Sequence, residues 1–260
     1  MIYKVMKILI TGATGYLGGA LIKDLIQKKY SIFAIVRNAH NDKYKSHAKV
    51  NYIHLDLKNK NNLIMKLKII NPEIIIHLAA LIPKNKKDNY NKSYKENRVV
   101  TRNILEGSAT LKSLKKFIFA STISVFSNLN TNNIRYDENN TPNPIDHYGL
   151  HKLKAEKEIA IWAKKYNKQA VILRFSGIHG FPRASGVIYN YYLSAIKNNY
   201  INVENPEYYF SFLFLEDAKN ACIAALHEKD KEEIVSTYHI AGSQIISLSE
   251  LAFKIKSILG

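Results

Sequence analysis

The sequence has a single cysteine, Cys222, in 260 residues. No intrachain disulfide can form, so the fold must rest on a packed core, and a reducing compartment is expected. Acidic residues are also few: 21 Asp and Glu stand against 38 Lys and Arg, a net charge of +17. Arginine is rarer still, with six, at positions 37, 98, 102, 135, 174 and 183. The 32 lysines are scattered, and Asn, Ile and Tyr are abundant, which reads as a coding bias toward AT-rich codons rather than a nucleic-acid surface. The chain has no RNP-like segment, zinc-finger spacing or basic arm, so no nucleic-acid partner is expected. A basic surface still attracts anionic ligands. No apolar run is long enough to span a bilayer, and Met1–Lys7 lacks the apolar core and cleavage site of a signal peptide. A cytoplasmic protein without a membrane partner is expected. No pair of His or carboxylates has metal-ligand spacing, so no metal is expected.

What is present is a regular alternation. Apolar runs suited to buried strands lie at Lys7–Thr11, Ser31–Val36, Asn51–Leu55, Glu73–Leu78, Lys116–Ser121, Gln169–Arg174 and Thr237–Ala241. Helical patterns near 16–28, 59–70, 92–113 and 147–166 fall between the first six of them. Strand–helix alternation predicts an α/β fold, a doubly wound parallel sheet, with ligands bound beyond the carboxyl ends of its strands. After Arg174 the pattern changes to helices near 187–198, 216–228 and 248–259 around an aromatic run, Tyr208–Phe214, expected to be a buried strand. The predicted division is a dinucleotide-binding domain over 1–174 and a small substrate lobe over 175–260, with strand 237–241 returning to the main sheet. The Asn-rich stretch Asn128–Asn143 is the most loop-like segment.

The first strand runs into Gly12-Ala13-Thr14-Gly15-Tyr16-Leu17-Gly18 and then a helix. Gly12 permits a tight turn, Gly15 lets the backbone approach a pyrophosphate, and Gly18 lets helix and strand pack closely. The helix N-terminus offers free N–H groups to the anion. The second strand ends at Val36-Arg37, where the adenosine ribose of a dinucleotide lies. A guanidinium there suits a 2′-phosphate, so Arg37 points to NADP, with NAD the other cofactor; the alternative is a solvated surface Arg. Asp56, after the third strand, either accepts from an adenine amino group or caps the next helix.

Tyr148 and Lys152 are four apart on a predicted helix and share a face. A Lys ammonium beside a phenol is expected to lower the Tyr pKa, which suits proton transfer to or from a carbonyl oxygen. Thr122, at the end of the fifth strand, is placed to hold that oxygen; Ser121 and Ser124 are neighbouring alternatives. His147 and His151 are expected on the helix surface, and His179 in a pocket.

With these residues in place, the chain resembles the extended short-chain dehydrogenase/reductase family, also called the NAD-dependent epimerase/dehydratase family. The likeness covers nearly the whole chain: the Gly12–Gly18 loop, Asp56-Leu57, His77-Leu78-Ala79-Ala80, Asn97, Phe119-Ala120-Ser121-Thr122, Tyr148-Gly149-Leu150-His151-Lys152, Leu173-Arg174-Phe175, Leu215-Glu216-Asp217-Ala218 and Tyr238-His239-Ile240-Ala241-Gly242. It implies a Rossmann-type sheet with a small C-terminal substrate lobe and a catalytic set of Thr122, Tyr148 and Lys152. It also implies a cofactor site built from Gly12, Thr14, Gly15, Tyr16, Leu17, Gly18, Arg37, Asp56, Leu57, Leu78, Ala79, Ala80, Tyr148, Lys152 and Phe175. The family further implies a homodimer through the helices near 92–113 and 147–166, with Val99, Val100, Ile104, Leu105, Ile159 and Trp162 partly serving that face; the alternative is that all of them face the subunit's own sheet.

The chain departs from the family in three places. Ile123-Ser124 follows Thr122 where sugar 4,6-dehydratases have Asp-Glu, which argues against water elimination. Gly177 stands where many nucleotide-sugar epimerases have Asn, and Phe210-Ser211-Phe212 stands where they carry an Arg for the substrate diphosphate; Arg183 or a lobe Lys is a substitute. Family members also continue past the last predicted helix, which implies a smaller or more open substrate site. The leading expectation is an NADPH-dependent ketoreductase acting on a keto-sugar, with a nucleotide-linked sugar first among substrates. The alternatives are a nucleotide-sugar epimerase that retains its cofactor and a non-catalytic dinucleotide-sensing or scaffold protein.

Overall fold

Alternating apolar side chains build the two faces of the central sheet. In the computed structural model, which describes residues 5–37, 47–81, 90–126, 136–228 and 233–260, the first strand is β1 (Met6–Thr11). Ile8 and Ile10 point into one core and Leu9 into the other, all fully buried. The same period of two recurs in β4 (Ile74–His77), where Ile74 and Ile76 oppose Ile75, and in β5 (Lys116–Thr122), where Ile118 opposes Phe117 and Phe119. Strands apolar on both faces belong inside an α/β sandwich.

The other strands of this sheet are β2 (Tyr30–Val36), β3 (Val50–His54), β6 (Gln169–Phe175) and β9 (Val235–Ile240). All seven pair in parallel, in the order β3-β2-β1-β4-β5-β6-β9. The doubly wound Rossmann-type sheet read from the sequence is the one observed. Helices α1 (Tyr16–Leu25) and α6 (Leu215–His227) cover one face. The second core lies under α2 (Lys60–Ile70), α3 (Tyr90–Ser108) and α4 (His147–Tyr166). Strands β7 (Gly177–His179), β8 (Tyr209–Phe214) and β10 (Ile245–Ser247) form a separate three-stranded sheet. It packs with α5 (Val187–Asn198) and α7 (Leu248–Leu259) around Tyr191, Leu248, Leu251 and Ile255.

Local chemistry sets the helix ends. Asp146 caps α4 by accepting from Gly149 N at 2.6 Å. Ser247 and Glu250 make a reciprocal capping box on α7. Asn71, Asn167 and Asn199 close α2, α4 and α5 in the left-handed conformation that Asn tolerates best after Gly. The Asn-rich composition thus has structural use.

Several expectations need correction. The aromatic run forms β8, but it is half-buried: within it only Leu213 is buried, and Phe214 is 47% exposed, because Phe210 and Phe212 pack on the small third core instead of the main one. Strands β7 and β10, three residues each, were too short to show a period. Of the Asn128–Asn143 stretch, residues 128–135 lie outside the described residues, and 136–143 carry no strand or helix. The residues expected at a dimer face turn mostly inward: Ile104, Leu105, Ile159 and Trp162 are buried in the second core, Val100 packs against it, and Val99 alone is exposed. Their 3.6-residue spacing serves the chain's own sheet. No helix among the described residues is long and apolar enough to cross a membrane.

Helix α4 is fixed to the sheet by a buried ion pair. Arg174 of β6 grips Glu156 of α4 with Nη2 at 2.8 Å and Nε at 3.2 Å, and the Ser121 hydroxyl of β5 donates to the same carboxylate. Removing one partner leaves a buried charge. Arg174→Met is therefore expected to cost about 3–5 kcal/mol in urea unfolding, while Arg174→Met with Glu156→Leu recovers part of that loss. Equal stability of the single variant and the unaltered protein would refute this.

Candidate active site

The chain reverses direction across the sheet between β1 and β4, and the loops after these strands part there. The loop after β1 is held by backbone contacts that leave no room for a Cβ. Gly12 has φ +70°, and a Cβ on it would stand 2.7 Å from Ala79 N; one on Gly18 would stand 2.2 Å from Gly12 O. Gly15 is the N-cap of α1 with no side-chain cap, and no acidic residue occupies the first turn. The first N–H groups of α1 therefore face outward with the positive end of the helix dipole.

A cavity of about 290 Å³ opens beside this loop. Of the residues expected to bind cofactor, Gly12, Thr14, Gly15, Arg37, Asp56, Leu57, Leu78, Ala79 and Ala80 line it. Lys58, Glu96, Asn97 and Leu81 join them without having been assigned there from sequence. Tyr16, Leu17 and Gly18 lie outside the lining. Leu17 is buried in the core, and the Tyr16 hydroxyl donates to Gly180 O at 2.6 Å. Arg37 is exposed and makes no ion pair with a described residue. Asp56 does not cap α2, a task taken by Asn59; its carboxylate accepts from Lys58 N at 2.9 Å. The uncapped helix, the glycine cradle and the cationic Arg37 and Lys58 fit an anionic dinucleotide.

The floor of the site is a polar chain inside the sheet. Ala79 N donates to Thr11 Oγ1, which bonds His77 Nδ1 at 2.7 Å, and His77 Nε2 bonds Thr101 Oγ1 at 3.2 Å. Burial, aided by Lys152 and His151, pushes His77 down to about 3, so it is neutral and serves one bond as donor and the other as acceptor. Asn97 holds Leu81 by both its backbone groups, at 2.7 and 2.9 Å.

Tyr148 and Lys152 stand on α4, whose Gly149 packs on the turn that follows Thr122. Thr122 ends β5, paired with Phe175 of β6. Its Oγ1 accepts from Ser124 N and donates to Ser124 Oγ, both at 3.2 Å. Ser124 O packs against Gly149, where a Cβ would come within 2.0 Å, so α4 sits directly on the Ile123–Val125 turn. Ser121, an alternative to Thr122, is instead committed to Glu156. Lys152 is 2% exposed; its Nζ donates to Ala120 O at 2.6 Å and lies 4.6 Å from the Phe119 ring centre and 5.9 Å from that of Tyr148. Tyr148 borders a small cavity with Leu81 and Asn97, two residues that also line the large one.

The protonation states differ from the sequence expectation. Tyr148 is pushed up to about 12, by burial first and by the Asp146 carboxylate second. Lys152 is pushed down to about 8 by burial, with Glu156 opposing. Desolvation of the phenolate outweighs the ammonium one turn away, so Tyr148 is a phenol at neutral pH. His151, expected on the helix surface, is 4% exposed because it faces α3; His147 is exposed as expected.

A second cavity, of about 710 Å³, begins at Gly177, two residues beyond the strand partner of Thr122. His179, Arg183, Tyr192, Phe210, Phe212 and Ile255 are among its lining residues, as the pocket role expected for His179 requires. Arg183 lies 5.8 Å from the Tyr16 ring centre and donates to Ile178 O. Nothing stands within 4 Å of a Cβ built on Gly177, so this glycine leaves open space and meets no steric demand.

A family model described as the NAD dependent epimerase/dehydratase family matches residues 8–241. A Methanocaldococcus jannaschii protein provisionally assigned as a UDP-glucose 4-epimerase is 29% identical over 259 residues, covering 97% of this chain and 82% of that protein. Against two further curated relatives the chain spans 58% and 62% of their length. The fold is similar to that of UDP-glucose 4-epimerase from Thermotoga maritima with UDP-glucose, with TM-score 0.85, 21% identity, and 97% and 82% of the two chains covered. It is also similar to UDP-glucuronic acid 4-epimerase from Bacillus cereus in complex with UDP-glucuronic acid and NAD, with TM-score 0.84, 24% identity, and coverage of 98% and 83%.

The neutral buried histidines give a pH prediction. His77 and His151 have depressed pKa values, of about 3 and about 4, so the unfolded chain binds more protons between pH 6.5 and those values. The contribution of the two histidines is therefore complete above pH 6.5 and is lost as pH drops, by about 1.4 kcal/mol per pH unit for each histidine. Urea unfolding between pH 6.5 and 5 reads this slope, and His77→Gln is expected to reduce it by about half. An unchanged slope in that variant would count against His77 as a buried neutral group.

Proposed function

The chain belongs to the NAD dependent epimerase/dehydratase family, and we propose that within it the protein is an epimerase of nucleotide-linked sugars that retains its cofactor. The sequence alone put a ketoreductase first. The 4-epimerases among the chain's relatives favour the alternative instead. The observation that carries the reading is the seating of Tyr148 and Lys152 on one face of α4 against the Thr122 strand, next to the glycine-cradled cavity.

In this reading residues 1–174 hold the dinucleotide and 175–260 the substrate. Gly12, Thr14 and Gly15 with the α1 N-terminus take the pyrophosphate, Arg37, Asp56 and Leu57 the adenosine end, and Leu78, Ala79, Ala80 and Phe175 flank the nicotinamide half. Tyr16, Leu17 and Gly18 position the loop. A bound oxidised nicotinamide supplies a hydride acceptor and a positive charge. Tyr148, once ionised, takes the substrate hydroxyl proton at Oη and returns it after the sugar carbon has been inverted. Thr122 turns its hydroxyl from Ser124 to the same substrate oxygen. Lys152, held at Ala120 O, keeps a positive charge beneath the Tyr148 ring below about pH 8. Arg183 is the cation of the second cavity and takes the substrate diphosphate, in the absence of an Arg at Phe210. The Ile123-Ser124 pair offers no carboxylate for eliminating water.

The reductase reading keeps one supporting observation, Arg37 at the cavity edge, which suits an exchangeable NADP. The two separate in one experiment. UDP-sugars incubated with the protein and NAD are expected to yield their epimers, read by NMR, without net NADH. Stoichiometric oxidation of NADPH by keto-sugar nucleotides, with no epimer formed, would overturn the epimerase reading. NADPH should bind more tightly than NADH, and Arg37→Ala should cost about 1.5–3 kcal/mol of NADPH binding. Equal affinities assign NAD and make Arg37 a surface residue. In this reading the chain forms a homodimer, so light scattering at micromolar concentration is expected to give twice the chain mass, and a monomeric mass would rule out a stable dimer.

Tyr148→Phe is expected to lower turnover ~10²–10⁴-fold while cofactor binding survives, because only the transferable proton is lost. Lys152→Ala should damage both, and Thr122→Ser should retain much of the activity that Thr122→Ala loses. A folded Tyr148→Phe protein turning over at the unaltered rate would reject this mechanism.

A further inference from the structure

One buried side chain on α4 has no hydrogen bond. His151 is 4% exposed, and neither its Nδ1 nor its Nε2 has a partner among the described residues. Leaving buried polar groups unpaired is costly, so an imidazole in this state calls for polar company. Two small cavities flank it, each of about 10 Å³, the scale of a single water. The first is shared with Tyr148 and Asn97. The second is shared with Thr101, Arg98 and Glu158. Glu158 is a quarter exposed and pairs with Arg98 and Arg102, so the second cavity adjoins the surface. The ring therefore stands between the Tyr148 side and a solvent-facing carboxylate.

We propose that His151 is a proton relay that connects the Tyr148 hydroxyl to Glu158 and solvent through one water in each cavity. The Tyr148 Oη proton passes to the first water, and that water gives a proton to the ring nitrogen facing it. The opposite ring nitrogen gives its proton to the second water, which passes one on to the Glu158 carboxylate or bulk. Only O–H and N–H bonds break and form, and no electrons leave the site. The inference rests on the acid–base role of Tyr148 in the proposed function.

The surroundings suit the task. Lys152, Lys154 and Glu158 on α4, Arg98 and Tyr94 on α3 and His77 on β4 face the ring or its cavities. Burial first and Lys152 second push His151 down to about 4, so the ring is neutral. A neutral imidazole carries one N–H and one lone pair, a donor toward one cavity and an acceptor toward the other. The need also follows from the site. Tyr148 is a phenol at neutral pH and must lose that proton before it can accept one from a substrate hydroxyl. Tyr94 meets the His151 ring edge-on at 5.8 Å, a packing contact that Phe would keep.

The test is proton release on cofactor binding. The full chain, freed of the cofactor it retains, is mixed with NAD in weak buffer with a pH indicator, and the cationic nicotinamide favours the Tyr148 phenolate. The unaltered protein is expected to release a proton, and Tyr148→Phe to release none. His151→Phe should keep the NAD affinity and the amplitude but slow the release at least ~10-fold, with added imidazole restoring the rate. His151→Gln should show the same defect and stands in if the Phe variant does not fold. Release by Tyr148→Phe, or none from the unaltered protein, overturns the Tyr148 reading and the relay with it. A silent Tyr148→Phe with native-rate release from the His151 variants overturns the relay alone. Slow release that imidazole does not restore makes His151 a packing residue and also overturns the relay.

Discussion

The Glu156 carboxylate is gripped by Arg174 and Ser121 in the interior of the protein, and the geometry of the whole site follows from that grip. It locks the middle of α4 to two adjacent strands. One turn toward its N-terminus the same helix presents Lys152 to the Ala120 carbonyl, and one turn further Tyr148. Thr122 lies on the strand that supplies Ser121. A shift of α4 by one turn would separate Tyr148 from Thr122 altogether. The pair is expensive to desolvate and contributes fixed geometry more than net stability. The Gly149–Ser124 contact closes the other end, where any side chain would lift the helix off the turn.

Desolvation sets the chemistry of what α4 carries. The same burial moves four groups toward their neutral forms: His77 and His151 downward, Lys152 downward, and Tyr148 upward. The protein by itself therefore stores a neutral phenol beside a weakened ammonium. A cation bound beside Tyr148 would shift that balance toward the phenolate. This is an economical arrangement, since the resting site holds no strong base.

The second cavity is built differently. It is mainly apolar, with Arg183 as a cation that reaches toward the glycine loop through the Tyr16 ring. Gly177 leaves space where a side chain could stand, and Phe210 and Phe212 line the same cavity. The three-stranded sheet meets its own small core through Phe210 and Phe212 and the first large core through Leu213 and Ile178, so it is packed onto the main body.

Much of the fold was legible in the sequence because it depends on period alone. Runs such as Ile74-Ile75-Ile76 and Phe117-Ile118-Phe119 form strands buried on both faces, and α4, α5 and α7 span the ranges expected from their helical patterns, while their caps emerged only from the structure. The glycine loop was legible because Gly12 and Gly18 answer backbone distances that no other residue meets. The spacing of Tyr148 and Lys152 likewise followed from the helical repeat. What the sequence could not supply was the environment. Whether His151 faces water or α3, and whether Ile104 and Trp162 face a partner or the chain's own sheet, depends on which side of each helix meets the core. The Tyr148 pKa depends on the balance of burial against a charge whose distance only the fold fixes. Periodicity determined which residues share a face; three-dimensional packing decided what each face meets, and with it the charge states of the site.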